Sequence, residues 1–265
     1  MIGVLFRHHV RLHRMPLVPL ALGLALFEWI MTVVAREPSI SRFVSEALRA
    51  APPQFLALLN QDILATVSPR GIIGVGYTHP FVLIMMAVWA VRVPSAALAG
   101  EIGRGTMDMI AARPVARSAQ VAAALFALVA GLTVLAGAAW LGTFAGLVGR
   151  PIEGATAWHF LPVAVAMWLL FASAGAVGIL VSALAREAGA AIAWTSGLMA
   201  GSYVLDYAAR VWPTIASLRP LSLFRYYEPQ QVLSAGLARD NVIVFAAVAA
   251  LALALAFTVF SRRDL

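Results

Sequence analysis

The chain contains no cysteine and no lysine, and only 12% of its 265 residues are charged. Without cysteine there is no disulfide, no thiolate metal site and no cysteine nucleophile. Without lysine there is no GxxxxGK[ST] phosphate loop, so the chain brings no P-loop ATPase of its own. Neither HExxH nor GxSxG occurs, and no apolar span carries a pair of carboxylates, so no catalytic constellation emerges. The chain is therefore expected not to be an enzyme and to hold no cofactor or metal of its own.

What remains is apolar: 62% of the residues are hydrophobic, and the charged share is well below the roughly 25% of a soluble domain. Even a domain of about 300 residues buries only about 75% of the surface its unfolded chain exposes, so lipid must cover much of this one. The net charge of +7 comes from nineteen arginines scattered singly between apolar runs. That pattern marks topology in a membrane rather than a nucleic-acid face.

A spanning helix needs roughly 20 apolar residues. Six segments qualify: Met15 to Ala35, Gly71 to Val91, Ala119 to Val148, Trp158 to Leu184, Ala188 to Leu205 and Val242 to Phe260. The expected fold is an all-α, integral membrane domain of six transmembrane helices over 15–265, with outer loops at 36–70 and 206–241. The run from Met15 is read as a retained span, because no small-residue cleavage site follows it. An even number of crossings puts both termini on one side. With the termini inside, ten arginines lie inside (Arg7, Arg11, Arg14, Arg92, Arg104, Arg113, Arg117, Arg186, Arg262, Arg263) and the other nine outside. The inner ones crowd into short segments, which favours cytoplasmic termini in a cell membrane.

Residues 1–14 place Ile2, Leu5, Phe6 and Val10 near one helical face and Arg7, Arg11 and Arg14 on another, the pattern of an amphipathic helix lying along the inner leaflet. His9 and His13 have a metal-ligand spacing but no further partner, so no metal site is expected. His159 stands alone at a membrane edge. Tyr226 and Tyr227 read as part of an aromatic belt at the outer surface.

The segment 92–118 carries most of the charge between the second and third spans. Pro94 interrupts the apolar run, Gly103 and Gly105 loosen the backbone, and Thr106 is placed to cap a short helix through Met107, Asp108, Met109, Ile110 and Ala111 that Pro114 ends. Asp108 in the first turn and Arg113 in the last suit the helix dipole. Such charges do not belong in hydrocarbon. The stripe Met107, Ile110, Ala111 wants a partner, which is either a second protein or the chain's own bundle.

The order Glu101, Gly105-Thr106, a short hydrophobic run, Pro114-Val115 and Arg117 resembles the signature of the ABC-2 type permease family, the membrane subunits of ATP-binding-cassette transporters. Similar features recur along the chain in APPQFLALLN, SPRG, YYEPQQVLSAG and the closing FSRRDL. The leucines usual in that signature are Met109, Ile110 and Ala111 here, and its small hydroxyl residue is Ala116. The resemblance implies a six-helix permease that pairs with a second permease subunit, expected to be identical, and is driven by two copies of a cytoplasmic ATPase that binds ATP and Mg. It implies that Leu98 to Arg117 is the coupling connection, with Glu101, Arg104, Gly105, Thr106, Met107, Asp108, Ile110, Arg113, Pro114 and Arg117 as its coupling residues, and that transport runs outward by alternating access.

Within the bilayer, Gly189, Ala193, Gly197 and Gly201 recur every four residues and form a small-residue ridge, for packing within one subunit or for a dimer or cavity interface. Gly142 and Gly146 repeat the pattern in the third span. Glu28 is the one acidic side chain well inside a span. At 1.5 Å per residue it lies roughly 20 Å from the inner face and His79 roughly 18 Å, so the two could meet or line a common polar path, unless Glu28 reaches outward beside Arg36. Rival functions are an ATPase-independent ion-coupled carrier using Glu28 and His79, a membrane enzyme with His9 and His13 as metal ligands, and a permease serving metalloenzyme maturation.

Overall fold

The computed structural model describes residues 2–52, 68–106 and 116–263, and among them the architecture is helical throughout. Helix α1 (Ile2–Val34) runs without interruption through Pro16 and Pro19. The expected interfacial segment and first span are thus one continuous helix. A short amphipathic helix, α2 (Pro38–Ala50), follows.

The expected second span is two helices, α3 (Pro69–Thr78) and α4 (Pro80–Ala97). The break is local chemistry. Pro80 has no N–H to continue the ladder and forces its predecessor out of the helical region, so His79 sits extended at φ −63°, ψ 136°. Its ring Nδ1 then accepts from the Phe81 amide at 3.2 Å and caps the new helix. Ser68 caps α3 in the same way, with Pro69 in the first turn.

A five-residue helix, α5 (Ala99–Gly103), follows α4. The long helices α6 (Arg117–Gly149) and α7 (Ala157–Leu184) come next, then α8 (Ala188–Val211) after a three-residue turn. Two 3-10 turns at Pro213–Leu221 and Leu223–Tyr226, a short helix α9 (Pro229–Ala235) and the closing α10 (Arg239–Arg262) complete the order. His159, alone in the sequence, has a local role: its Nδ1 accepts from the Thr156 amide at 3.1 Å at the start of α7.

Among the described residues, five helical stretches are long and apolar enough to cross a membrane: Pro16–Val34, Pro69–Ala97, Arg117–Gly149, Ala157–Leu184 and Arg239–Arg262. Helix α8, of 24 residues, is as long as α10 but less apolar, because glycine, serine, threonine and tyrosine occupy positions where the others carry leucine and valine.

The core lies where α6 and α7 meet α1, α4 and α10. Small residues on α6 set its spacing. A Cβ on Gly142 would sit 2.1 Å from the Ala25 carbonyl oxygen of α1, and one on Gly146 2.0 Å from Thr32 Oγ1. The Gly142/Gly146 ridge is therefore spent on packing inside the subunit. About three turns earlier in α6, Gly131 leaves a notch filled by the Trp89 indole, whose Nε1 donates to the Leu128 carbonyl at 3.2 Å.

Candidate functional site

One end of the bundle, expected from the sequence to be the inner one, gathers around the turn between α7 and α8. Entering from α4, the Ala99 amide donates to Ser182 Oγ at 3.0 Å, near the last turn of α7. Glu101 is 5% exposed and ion-paired to Arg104 at 2.6 Å, while Thr106 Oγ1 donates to the Glu101 carbonyl at 3.1 Å and to its carboxylate. Gly103 brings the chain against Arg186 and Glu187 so closely that a Cβ there would lie 3.3 Å from Glu187 Cα. Gly105 adopts φ +68°, the left-handed region that glycine enters without strain.

The segment leaves by Arg117, whose guanidinium donates to the carbonyls of Ser261, at 3.4 Å, and Arg263. Arg263 in turn donates to the carbonyls of Ala183 at 2.6 Å and Ala185 at 2.8 Å, the open C-terminal end of α7. A cation on those orphan carbonyls satisfies acceptors the helix cannot and complements its dipole. Both described ends of the polar segment are thus tied to the same turn. Of the expected coupling residues, Glu101, Arg104, Gly105, Thr106 and Arg117 are placed here; Met107, Asp108, Ile110, Arg113 and Pro114 lie outside the described residues, as do the side chains of His9 and His13.

On α8, the ridge Gly189, Ala193, Gly197 and Gly201 faces away from the bundle. It is exposed, and no atom lies within 4 Å of a Cβ built on any of its three glycines. The opposite face carries Ala191, Thr195, Asp206 and Ala209 and packs on the subunit. So the two glycine ridges, alike in sequence, have opposite fates.

In the opposite half, expected to be the outer one, the chain does not stay on the surface after α8. Ser222 Oγ donates to the Ser202 carbonyl at 2.6 Å, and the Leu223 amide donates to Ser202 Oγ at 2.9 Å, more than two turns below the outer end of α8. Tyr227 is 5% exposed and donates its hydroxyl to the Tyr77 carbonyl at 2.8 Å. It belongs to the interior, not to an aromatic belt, because Pro229 opens α9 beneath the surface and Tyr227 precedes it. Gln230 Nε2 donates to the Gly71 carbonyl at 3.0 Å and Arg70 to the Leu233 carbonyl, so α3 and α9 form one hydrogen-bonded unit.

A charge network unforeseen from sequence fixes this descent. Asp206, 2% exposed, pairs with Arg210 at 2.5 Å and Arg219 at 2.9 Å, and Arg219 reaches Glu228 at 3.1 Å. The i, i+4 spacing of Asp206 and Arg210 was its one legible sign.

Glu28 is fully buried, and neither carboxyl oxygen has a hydrogen-bond partner among the described residues. It lies against α3, where a Cβ on Gly76 would come 2.7 Å from Oε2. His79 is exposed and its ring lies 4.9 Å from that of Phe27, the neighbour of Glu28. Glu28 and His79 do not bond to each other. Nor does Glu28 reach Arg36, whose guanidinium serves the carbonyls of Thr32 (3.0 Å), Gly146 (2.5 Å) and Arg150 (2.5 Å).

No curated protein matches the chain significantly. The family described as ABC-2 family transporter protein matches residues 26–265. This match takes in the α3–α9 unit, the α8 ridge and both anchored ends of the polar inner segment, so the protein belongs to the ABC-2 transporter family, multi-pass membrane components that work with an ATP-binding subunit.

Proposed function

We propose that the chain is the permease subunit of an exporter, crossing the membrane six times with α8 as the fifth crossing, pairing with a second copy of itself and driven through residues 98–117 by two copies of a cytoplasmic ATPase. The observation that carries the coupling is the double anchorage of that segment: through Ala99 and Gly103 on one side, and through Arg117 and Arg263 on the other, it holds the α7–α8 turn. Displacing the segment displaces the turn, and α8 with it. ATP and Mg belong to the partner, and the substrate moves as the two permeases alternate access.

The open ridge of α8 supports the pairing. A helix facing lipid gains from bulky apolar side chains, whereas glycine and alanine at every fourth position allow another helix to approach closely. Helix α8 is not among the helices long and apolar enough to cross a membrane, while most of its circumference is exposed, which suits a protein partner or a central path better than lipid.

The test replaces Met107 or Ile110 with Asp in vesicles holding the permease and its copurified ATPase. The expected result is ATP hydrolysis that persists while transport falls by about tenfold or more, since an aspartate on the apolar stripe desolvates without a partner. Unchanged transport per ATP would refute the assignment.

A further inference from the structure

The Glu28 carboxyl is a group the coupling scheme does not use. It is sealed: α1 carries it, Gly76 of α3 lies against it, and its relative exposure is zero. An ionised carboxylate in such surroundings needs a counter-charge or donors, and without them the group takes up a neutralising ligand instead.

Among the described residues, the neighbouring polar groups are committed elsewhere. On α3, the Tyr77 hydroxyl bonds Thr143 of α6 at 3.0 Å, and Arg70 is bound to Leu233 at the outer end. On α9 and the turn before it, Tyr227 donates to the Tyr77 carbonyl and Glu228 is held by Arg219. On α1, Arg36 serves three carbonyls and Thr32 donates to the Trp29 carbonyl at 2.7 Å. His79, before α4, caps that helix, and its ring lies tilted against that of Phe27. Helix α6 has no charged residue between Arg117 and its end. A metal cation would need several oxygens converging with the carboxylate, and the hydroxyls that could supply them are turned to other partners. A proton needs no such shell.

We propose that Glu28 is a proton-binding site, closed by the α3–α9 unit. While α3 lies against α1, the carboxyl holds one proton. When α3 and α9 lift from α1 and water enters, the O–H bond breaks heterolytically, the carboxylate keeps the electron pair and the proton passes to water. Gly76 is the contact that lets α3 close on the acid: a side chain there would meet both carboxyl oxygens, at 2.7 and 3.0 Å. The break at His79 leaves α3 free to move with α9 while α4 stays with the inner bundle.

The site makes no demand on the ATPase, so it can be tested on the full chain alone, reconstituted in phosphatidylcholine vesicles. Infrared spectra at neutral pH are compared for the native chain and Glu28→Gln, with circular dichroism and size-exclusion profiles to show that the variant folds. The expected result is a protonated-carboxyl stretch, shifted by deuterium exchange, that is present in the native chain and wholly lost in the variant. The other glutamates are exposed or ion-paired, and Glu28 is neither. Should Glu28→Gln not fold, carbon-13 labelling of the glutamate carboxyls in the native chain identifies the same band by its isotope shift. Absence of that band in the native chain overturns the proposal, and a carboxylate stretch that responds to sodium instead would assign the site to a metal cation. Either result leaves the ATPase coupling reading untouched.

Discussion

Arg263 donates to the carbonyl of Ala185 at 2.8 Å, closing the end of α7 with a side chain from the last turns of the protein. Its own carbonyl accepts from Arg117, so one residue joins three elements. Arg263→Ala should lower the ratio of transport to ATP hydrolysis several-fold. The membrane fold should lose only about 1.5–3 kcal/mol, the worth of hydrogen bonds from a charged donor. Paired transport and hydrolysis assays check this, with partial recovery expected in Arg263→Lys, which keeps the charge but not the forked geometry. Equal falls in both activities would mean that Arg263 merely supports folding.

Gly197→Leu places a branched side chain on the open ridge of α8, where nothing within the subunit opposes it. The monomer should melt within about 0.5 kcal/mol of the native chain, as for substitutions away from structural features. The dimer yield in mild detergent should fall strongly. An intact dimer would move the interface to another face.

Gly142→Val tests the opposite ridge. Its Cβ would meet the Ala25 backbone at 2.1 Å, so α1 must back away from α6. Overpacking of this kind costs about 1–3 kcal/mol or more. A lowered thermal midpoint in detergent is expected, with no selective change in dimer yield.

Asp206→Asn removes the acid that holds two arginines in the outer half. Breaking a buried pair by deleting one partner typically costs about 3–5 kcal/mol, because the remaining charges lose their counterpart. Thermal unfolding should show a large fall, and protease cleavage within Pro213–Tyr226 should become faster as the descending chain loosens.

Much of the scaffold was legible in the residues. Long runs of alanine, leucine and valine have few structural alternatives in lipid, and arginine, proline and glycine mark where they stop. Thus the third span, expected from Ala119, begins at Arg117, and the fourth ends at Leu184 as expected. The break at His79 was hidden by the apolar residues on both sides, although the His-Pro step was its signature. Tyr227 was misplaced because a re-entering segment of a few residues has no periodicity to reveal it, and because its partner, the Tyr77 carbonyl, lies 150 positions away.

The glycine ridges show a deeper limit. Spacing says that a helix can be approached closely, but not by what. Gly142 and Gly146 met α1, while Gly189, Gly197 and Gly201 met nothing in the subunit, and only the arrangement of neighbouring helices decides between these outcomes. Glu28 is similar: its depth could be counted along α1, but the closure of Gly76 upon it could not.

The Trp89 indole seated in the Gly131 notch has a mechanical consequence. Helices α4 and α6 are the two roots of the polar inner segment, and the ring prevents either from sliding along the other. Under the coupling proposed above, a push on the segment between these roots would tip both helices together as a single lever, with its fulcrum at the tryptophan.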